Sequence, residues 1–277
     1  MSSLRLRRLV PPSPLPGSTG RGFLVALDHG LFAVPDDLPP IEDLAAVLAT
    51  VGAVEPDGVL MSAGQAGLLA ELPGRLPALT VRADVTNLYL SPPQARSVLF
   101  DDVVERAVRA DAAAVLVNLL DADDDPGVRI DCLANVAALK SRCDQCGMPL
   151  MVEPIPFERR DGRYVDVADE ARLVPLVRQA VEAGADVIKA GMLAADGSMR
   201  RAIRVAGGRP YLARGGSKGD DHDVLAATRR LMDCGGAGIV FGRNIFQHAN
   251  PKGMAAALKA IIHDDASVDA AAGLAAG

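Results

Sequence analysis

The chain has 277 residues and a formal net charge of −6, and it is 49% hydrophobic but only 3% aromatic, with no Trp. That length suits one α/β barrel with short tails, and the core must come from Ala, Val, Leu and Ile. The lack of clustered Lys/Arg interleaved with aromatics excludes a nucleic-acid groove, and no run of about 18 uncharged apolar residues is present to cross a membrane.

Residues 1–22 carry Arg5, Arg7, Arg8 and four prolines without an apolar central region. They are expected to form a flexible arm and not a secretory signal. Beyond them the pattern repeats. Short apolar runs begin near residues 23, 58, 78, 113, 150, 187, 210 and 238 and read FLVAL, GVLM, ALTVR, AAVLVN, LMVE, VIK, YLA and GIVF. Most are followed by a longer helical pattern, roughly at 41–50, 64–71, 97–110, 129–146, 167–183, 199–206, 221–234 and 251–263. In 167–183, Leu173, Leu176, Val177 and Ala180 fall at helical spacing. Junctions such as Glu55-Pro56-Asp57-Gly58 and Cys234-Gly235-Gly236-Ala237-Gly238 supply the helix stop and the turn into the next strand. Eight βα units of even length predict an α/β protein, a single (β/α)8 TIM barrel over residues 23–263. Residues 264–277 have little to bury and are expected to be a tail, frayed or loosely docked.

The four cysteines, Cys132, Cys143, Cys146 and Cys234, make no disulfide framework in a chain this long, so the reducing cytoplasm is the default compartment. Cys143 and Cys146 are read as two thiols near a helix end. His29, His222, His248 and His263 are scattered, with no His-x-His, so no metal is expected. No cofactor is expected either.

Side chains of a barrel strand alternate between interior and helix layer, and active sites use the C-terminal strand ends. By that rule Leu24, Ala26 and Asp28 share the inward face of the first strand. Thr80 and Arg82 share that of the third, Leu116 and Asn118 that of the fourth, Met151 and Glu153 that of the fifth, and Val187 and Lys189 that of the sixth. Asp28, Arg82, Asn118, Glu153 and Lys189 therefore meet at one mouth, a set that packing explains poorly.

Free lysine has a pKa near 10.4, so only about one in 2,500 is neutral at pH 7. Desolvation at a barrel mouth disfavours the ammonium, and a neutral amine attacks a carbonyl to give an imine that serves as an electron sink. The other reading of Lys189 is a phosphate-binding or salt-bridged lysine. The seventh strand runs into Arg214-Gly215-Gly216-Ser217-Lys218 and the eighth into Phe241-Gly242-Arg243-Asn244. Loops at these two positions commonly hold phosphate, with glycines admitting the anion and Ser217 and Arg243 as donors.

Leu27-Asp28-His29-Gly30, Ala185-Asp186-Val187-Ile188-Lys189, Gly215-Gly216-Ser217-Lys218 and Gly242-Arg243-Asn244-Ile245-Phe246-Gln247 resemble, in order over about residues 23–262, the archaeal-type (DhnA-like) class I fructose-bisphosphate aldolase superfamily. The resemblance implies Lys189 as the Schiff-base lysine and Asp28 as its proton-transfer partner. It implies Gly215, Gly216, Ser217, Gly242 and Arg243 as the phosphate cradle. It further implies a phosphorylated small-molecule substrate and a homo-oligomer. His29 belongs to the motif either as a turn histidine or as a substrate contact.

Two departures stand out. Relatives typically carry a catalytic Tyr on the fifth strand, where this chain reads Val152-Glu153-Pro154-Ile155-Pro156-Phe157. Glu153 is the expected stand-in, as a proton relay if burial raises its pKa, with Tyr164 of the following loop as the alternative. Arg82-Ala83-Asp84-Val85-Thr86 replaces a Gly/Ser-rich turn. Arg82 either binds a second anionic group or pairs with Asp84 or Glu153. The departures admit a transferase or a non-catalytic phosphosugar-binding barrel beside the aldolase.

Overall fold

Each of the eight apolar runs forms a strand of one closed parallel sheet in the computed structural model, which describes residues 4–11, 20–35, 38–216 and 218–276. The strands are β1 (Gly22–Ala26), β2 (Gly58–Ser62), β3 (Ala78–Arg82), β4 (Ala114–Ala122), β5 (Leu150–Arg160), β6 (Val187–Ala190), β7 (Tyr211–Arg214) and β8 (Gly238–Phe241). Neighbours in sequence are neighbours in the sheet, and β8 pairs with β1 to close the ring. The helices are α1 (Leu4–Leu9), α2 (Leu44–Val54), α3 (Val103–Arg109), α4 (Gly127–Cys146), α5 (Glu170–Glu182), α6 (Asp196–Val205), α7 (Asp221–Asp233), α8 (Arg243–Phe246), α9 (Pro251–His263) and α10 (Val268–Ala276). The chain is a single (β/α)8 TIM barrel.

Alternation along the strands divides the apolar residues into two cores. Leu24, Leu60, Leu116, Met151, Val187, Leu212 and Val240 fill the interior. Phe23, Val25, Val59, Val81, Val117, Val152, Ile188 and Ile239 face the helices. Branched aliphatics fill both layers at the close packing that barrels need, which is why the chain manages without Trp. The ring closes at a tight point. Gly238 has φ +123°, and a β-carbon there would overlap the Gly22 carbonyl oxygen of β1. Only glycine allows that approach.

Three stretches depart from the sequence reading. Residues 97–110 are not one helix: Ser97–Leu99 pairs antiparallel with Asp84–Thr86 in a small second sheet, and α3 begins at Val103. The segment 64–71 forms only a 3₁₀ turn at Ala66–Glu71. β5 runs well past its LMVE core and folds back on Arg163–Asp166 as a hairpin.

The two terminal expectations also change. Residues 12–19 of the expected arm lie outside the described residues, but Leu4–Leu9 is helical, with Leu9 and Val10 buried against the inner core. Arg8 pairs with Asp111 at 2.9 Å and Arg5 donates to the Ala112 carbonyl, fixing the helix across the N-terminal end of the barrel. Apolar side chains at Leu6, Leu9 and Val10 pack onto the inner core at that end. The expected tail forms α10, with Ala271 and Ala275 buried, because small side chains let it pack closely on α7 and α9. Among the described residues no helix is long and apolar enough to cross a membrane.

Leu9 contributes a fully buried side chain to the floor of the interior. Leu9→Ala should lower the unfolding free energy by about 2–5 kcal/mol, read as an earlier urea midpoint, with the active-site end unaffected.

Candidate active site

The register that builds the barrel also sets the order of the charged strand ends. Asn118 of β4 pairs across to Glu153 of β5, and Lys189 of β6 pairs across to Leu212 of β7. Asp28 follows β1 and leads into the 3₁₀ turn His29–Phe32. Asp28, Arg82, Asn118, Glu153 and Lys189 are all buried.

Arg82 occupies the centre. Its Nε donates to Asp28 Oδ2 at 2.7 Å, Nη2 to Glu153 Oε2 at 2.8 Å and Nη1 to Asn118 Oδ1 at 2.9 Å. Asp84 Oδ1 lies 3.5 Å from Nη1, and the guanidinium stands 5.4 Å from the Phe32 ring centroid. Of the two readings of Arg82, the internal ion pair is the one observed, and it engages three carboxylates. The second oxygen of Glu153 completes the network: Oε1 is 2.9 Å from Lys189 Nζ and 3.5 Å from Arg214 Nε. Arg214 then reaches Asp166 on the β5 hairpin.

Charge and burial together set the protonation states. Burial works to raise the Glu153 carboxyl, but Lys189, Arg82 and Arg214 outweigh it and hold the group at about 2. The expectation that burial raises Glu153 into a proton relay is therefore corrected: Lys189 and two guanidiniums beside it hold the group as a carboxylate. Burial likewise opposes the charge of Asp28, and Arg82 and Lys189 overcome it, leaving that carboxyl below its ordinary value. For Lys189 burial is the largest influence and lowers the pKa. The Glu153 carboxylate opposes this and Arg82 adds to it, and the net direction is down. Asp84 moves the other way, pushed up chiefly by burial.

A cavity of about 360 Å³ opens over this network, a volume typical of small-molecule sites. Lys189, Glu153, Asp28, Arg82 and His29 line it, together with Gly215, Gly216, Gly242 and Arg243. The lysine and the two glycine turns thus share one space. A β-carbon on Gly242 would collide with the His29 ring and would stand 2.9 Å from the Ala26 carbonyl oxygen, so the turn packs tightly against the start of the His29 segment. Lys218 Nζ donates to the Gln247 carbonyl at 2.8 Å and Gly219 N to Asn244 Oδ1 at 3.0 Å, tying the two loops together.

Two expected residues stand elsewhere. Asn118 does not line the cavity; it sits one layer behind, accepting from Arg82. Ser217 lies outside the described residues. Tyr164 borders the cavity, but its hydroxyl donates to Asp124 Oδ1 at 2.8 Å and so does not reach inward as a stand-in.

The sequence reading missed Arg214 and Tyr89, both of which line the cavity. Arg214 was legible, because it lies two residues beyond the inward-facing Leu212 at the end of its strand. Tyr89 was not, since it comes from the irregular segment between Asp84–Thr86 and Ser97–Leu99, where no periodicity applies. The four cysteines are free thiols, with Cys143 buried and Cys146 exposed at the end of α4. Among the described residues no group of three His, Cys, Asp or Glu side chains is disposed to hold a metal.

Comparison with known proteins adds an independent line. Residues 23–248 match the family described as DeoC/LacD family aldolase. The 2-amino-3,7-dideoxy-D-threo-hept-6-ulosonate synthase of Halobacterium salinarum is 34% identical over 260 residues, covering 92% of this chain and 95% of that protein. A Schiff base-forming fructose-1,6-bisphosphate aldolase, solved with its reaction intermediates, superposes with a TM-score of 0.77 at 25% identity, covering 93% of this chain and 98% of that one. An archaeal fructose-1,6-bisphosphate aldolase, solved with its catalytic lysine covalently bound to the carbinolamine intermediate of the substrate, gives 0.74 at 25% identity over 87% and 94% of the two chains.

The low pKa of Glu153 has a measurable consequence. Its folded value of about 2 lies below the ordinary 4.5, so the folded state binds fewer protons between those values. The stabilisation is complete above about pH 4.5 and is lost as the pH falls towards 2. Urea midpoints taken from pH 5.5 down to 3 should therefore fall less steeply in Glu153→Gln than in the parent.

Proposed function

The chain belongs to the DeoC/LacD family of aldolases, and from that premise we propose that it is a class I aldolase, forming or cleaving a carbon–carbon bond in a phosphorylated sugar or keto compound through an imine on Lys189. One observation carries the reading: the buried amine of Lys189, its pKa lowered, stands in the same cavity as Gly215, Gly216, Gly242 and Arg243.

In this reading the glycine turns and Arg243 hold the phosphate through backbone N–H groups and a guanidinium, which brings the substrate carbonyl to Lys189. Ser217 belongs to the same loop and joins the cradle. The neutral amine adds to the carbonyl, water leaves, and the resulting iminium accepts the electron pair of the breaking bond. Asp28 moves protons at the imine, and the Glu153 carboxylate keeps the iminium cation compensated once the amine has reacted. His29, beside the Gly242 turn, contacts the substrate. Arg82 is satisfied by Asp28, Glu153 and Asp84, and we assign it to holding those carboxylates in place, with Asn118 behind it. The solved relative with a lysine-bound carbinolamine supports the same chemistry here.

A second reading, transfer of the fragment to a second acceptor, is favoured by the 34%-identical relative being named a synthase. Turnover that requires an added acceptor, with no simple cleavage, would select it.

Borohydride added in the presence of dihydroxyacetone phosphate should leave a mass adduct on Lys189 and on no other lysine. Lys189→Ala should fold, because Glu153 keeps Arg82 and Arg214 as partners, and should lose both adduct and turnover. Trapping on another residue, or none with any phosphorylated ketone tried, would sink the reading. Because the chemistry runs through an amine, turnover should be unchanged by EDTA; loss on chelation would point to a metal-dependent route.

A further inference from the structure

We propose that Tyr89 is a catalytic residue, the phenol that gives a proton to the acceptor carbonyl oxygen as the carbon–carbon bond forms. The inference rests on the Schiff-base reading above and assigns a step which that reading leaves without a donor.

In the bond-forming direction the acceptor oxygen becomes an alkoxide and needs a proton. Glu153 is held as a carboxylate by Lys189, Arg82 and Arg214 and has none to give, while Asp28, bonded to Arg82, is assigned to the proton transfers at the imine. Arg82 and Arg214 do not release protons, and the nitrogen of Lys189 is committed to the substrate. The Tyr164 hydroxyl is turned to Asp124. The His29 ring abuts the Gly242 turn, at the end of the cavity assigned to phosphate. Tyr89 remains.

Its placement suits the task. Tyr89 lines the cavity, and its ring is packed 4.9 Å from the Phe32 centroid and 5.6 Å from that of Phe157. The charged groups acting on its hydroxyl are Arg214, Glu153, Arg82 and Asp166, with Arg214 foremost. Glu153 Oε1 bridges Arg214 and Lys189, and Tyr89 lines the same cavity as all three. Burial raises the phenol's pKa and keeps it protonated at neutral pH.

The segment carrying Tyr89 is fixed by side-chain hydrogen bonds at both of its ends. Asp84 Oδ2 accepts from Ser97 Oγ at 3.0 Å and from Asn118 N at 3.2 Å, clamping both ends of the excursion to β4. Thr86 Oγ1 donates to the Arg96 carbonyl at 2.8 Å, and Asn87 Oδ1 accepts from Arg96 N at 2.7 Å. Ser91 Oγ accepts from Tyr164 N at 3.0 Å, bolting the segment to the β5 hairpin. A merely space-filling tyrosine does not require such support.

The enamine nitrogen pushes its pair to form C=N⁺, the enamine carbon bonds to the acceptor carbonyl carbon, and that C=O π pair moves to oxygen. The oxygen takes the Tyr89 proton, leaving a phenolate beside the Arg214 and Arg82 guanidiniums. Cleavage is the reverse, with the phenolate oxygen taking the hydroxyl proton.

The test uses the full chain, with dihydroxyacetone phosphate plus borohydride for the imine, and dihydroxyacetone phosphate plus glyceraldehyde 3-phosphate or erythrose 4-phosphate for product. Tyr89→Phe keeps the ring and its stacking, so it should give the Lys189 adduct at the parent's yield while product formation at saturating acceptor falls about 10²–10⁴-fold. A variant that forms product at the parent's rate overturns the assignment. So does one whose adduct yield falls along with turnover, since that marks a supporting role. A parent that gives the adduct but joins it to neither aldehyde also overturns it, for the phenol would then have no acceptor to serve. A parent that gives no adduct at all is a different failure, that of the Schiff-base reading itself.

Discussion

Everything at the mouth of this barrel depends on one buried arginine. Arg82 is surrounded by Asp28, Glu153 and Asp84, and Glu153 in turn faces Lys189 and Arg214. Any of these charges alone in a dry interior would cost several kcal/mol, and each is tolerable only because its neighbours compensate it. The arrangement is therefore cooperative. Removing Arg82 leaves its carboxylates uncompensated, and truncation of such a buried partner typically costs about 3–5 kcal/mol. Within this network burial is the largest influence on Lys189 and lowers its pKa, while Glu153 is held as a carboxylate.

The barrel makes this arrangement possible without spending core volume on it. Apolar inward residues such as Leu116, Met151, Val187 and Leu212 fill the interior up to the last layer, and polar residues begin where each strand ends. Leu9 of α1 and the following Val10 are buried against the inner core at the other end. Strands on opposite sides of the ring then contribute different chemistry. β7 and β8 lead into the glycine turns and Arg243, while the excursion after β3 and the hairpin of β5 supply Tyr89, Phe157 and Asp166. The Asp166–Arg214 pair links the two halves of the rim.

The alternation of strand residues made much of this readable. Lys189, Glu153, Arg82 and Asp28 were located by counting in twos from an apolar run, and the same count would have reached Arg214. What counting could not supply was partnership. Arg82 has carboxylates at Asp28, Asp84 and Glu153 to choose from, and only their approach in space shows that it holds all three. That shared engagement also turned Glu153 from a candidate acid into a fixed carboxylate, and placed Asn118 behind the wall instead of in it.

By itself, then, the sequence determined the barrel, its eight strand positions and which residues crown them, because these follow from local periodicity and from the steric demands of turns. The tertiary structure alone decided which charges meet, how each is protonated, and that Tyr89 enters the site from an irregular segment. It also decided that the terminal stretches dock as α1 and α10, for small or sparse apolar residues gain burial only where a complementary surface already stands. Burial and electrostatic coupling depend on distances between segments far apart in the chain, and no local pattern encodes those distances.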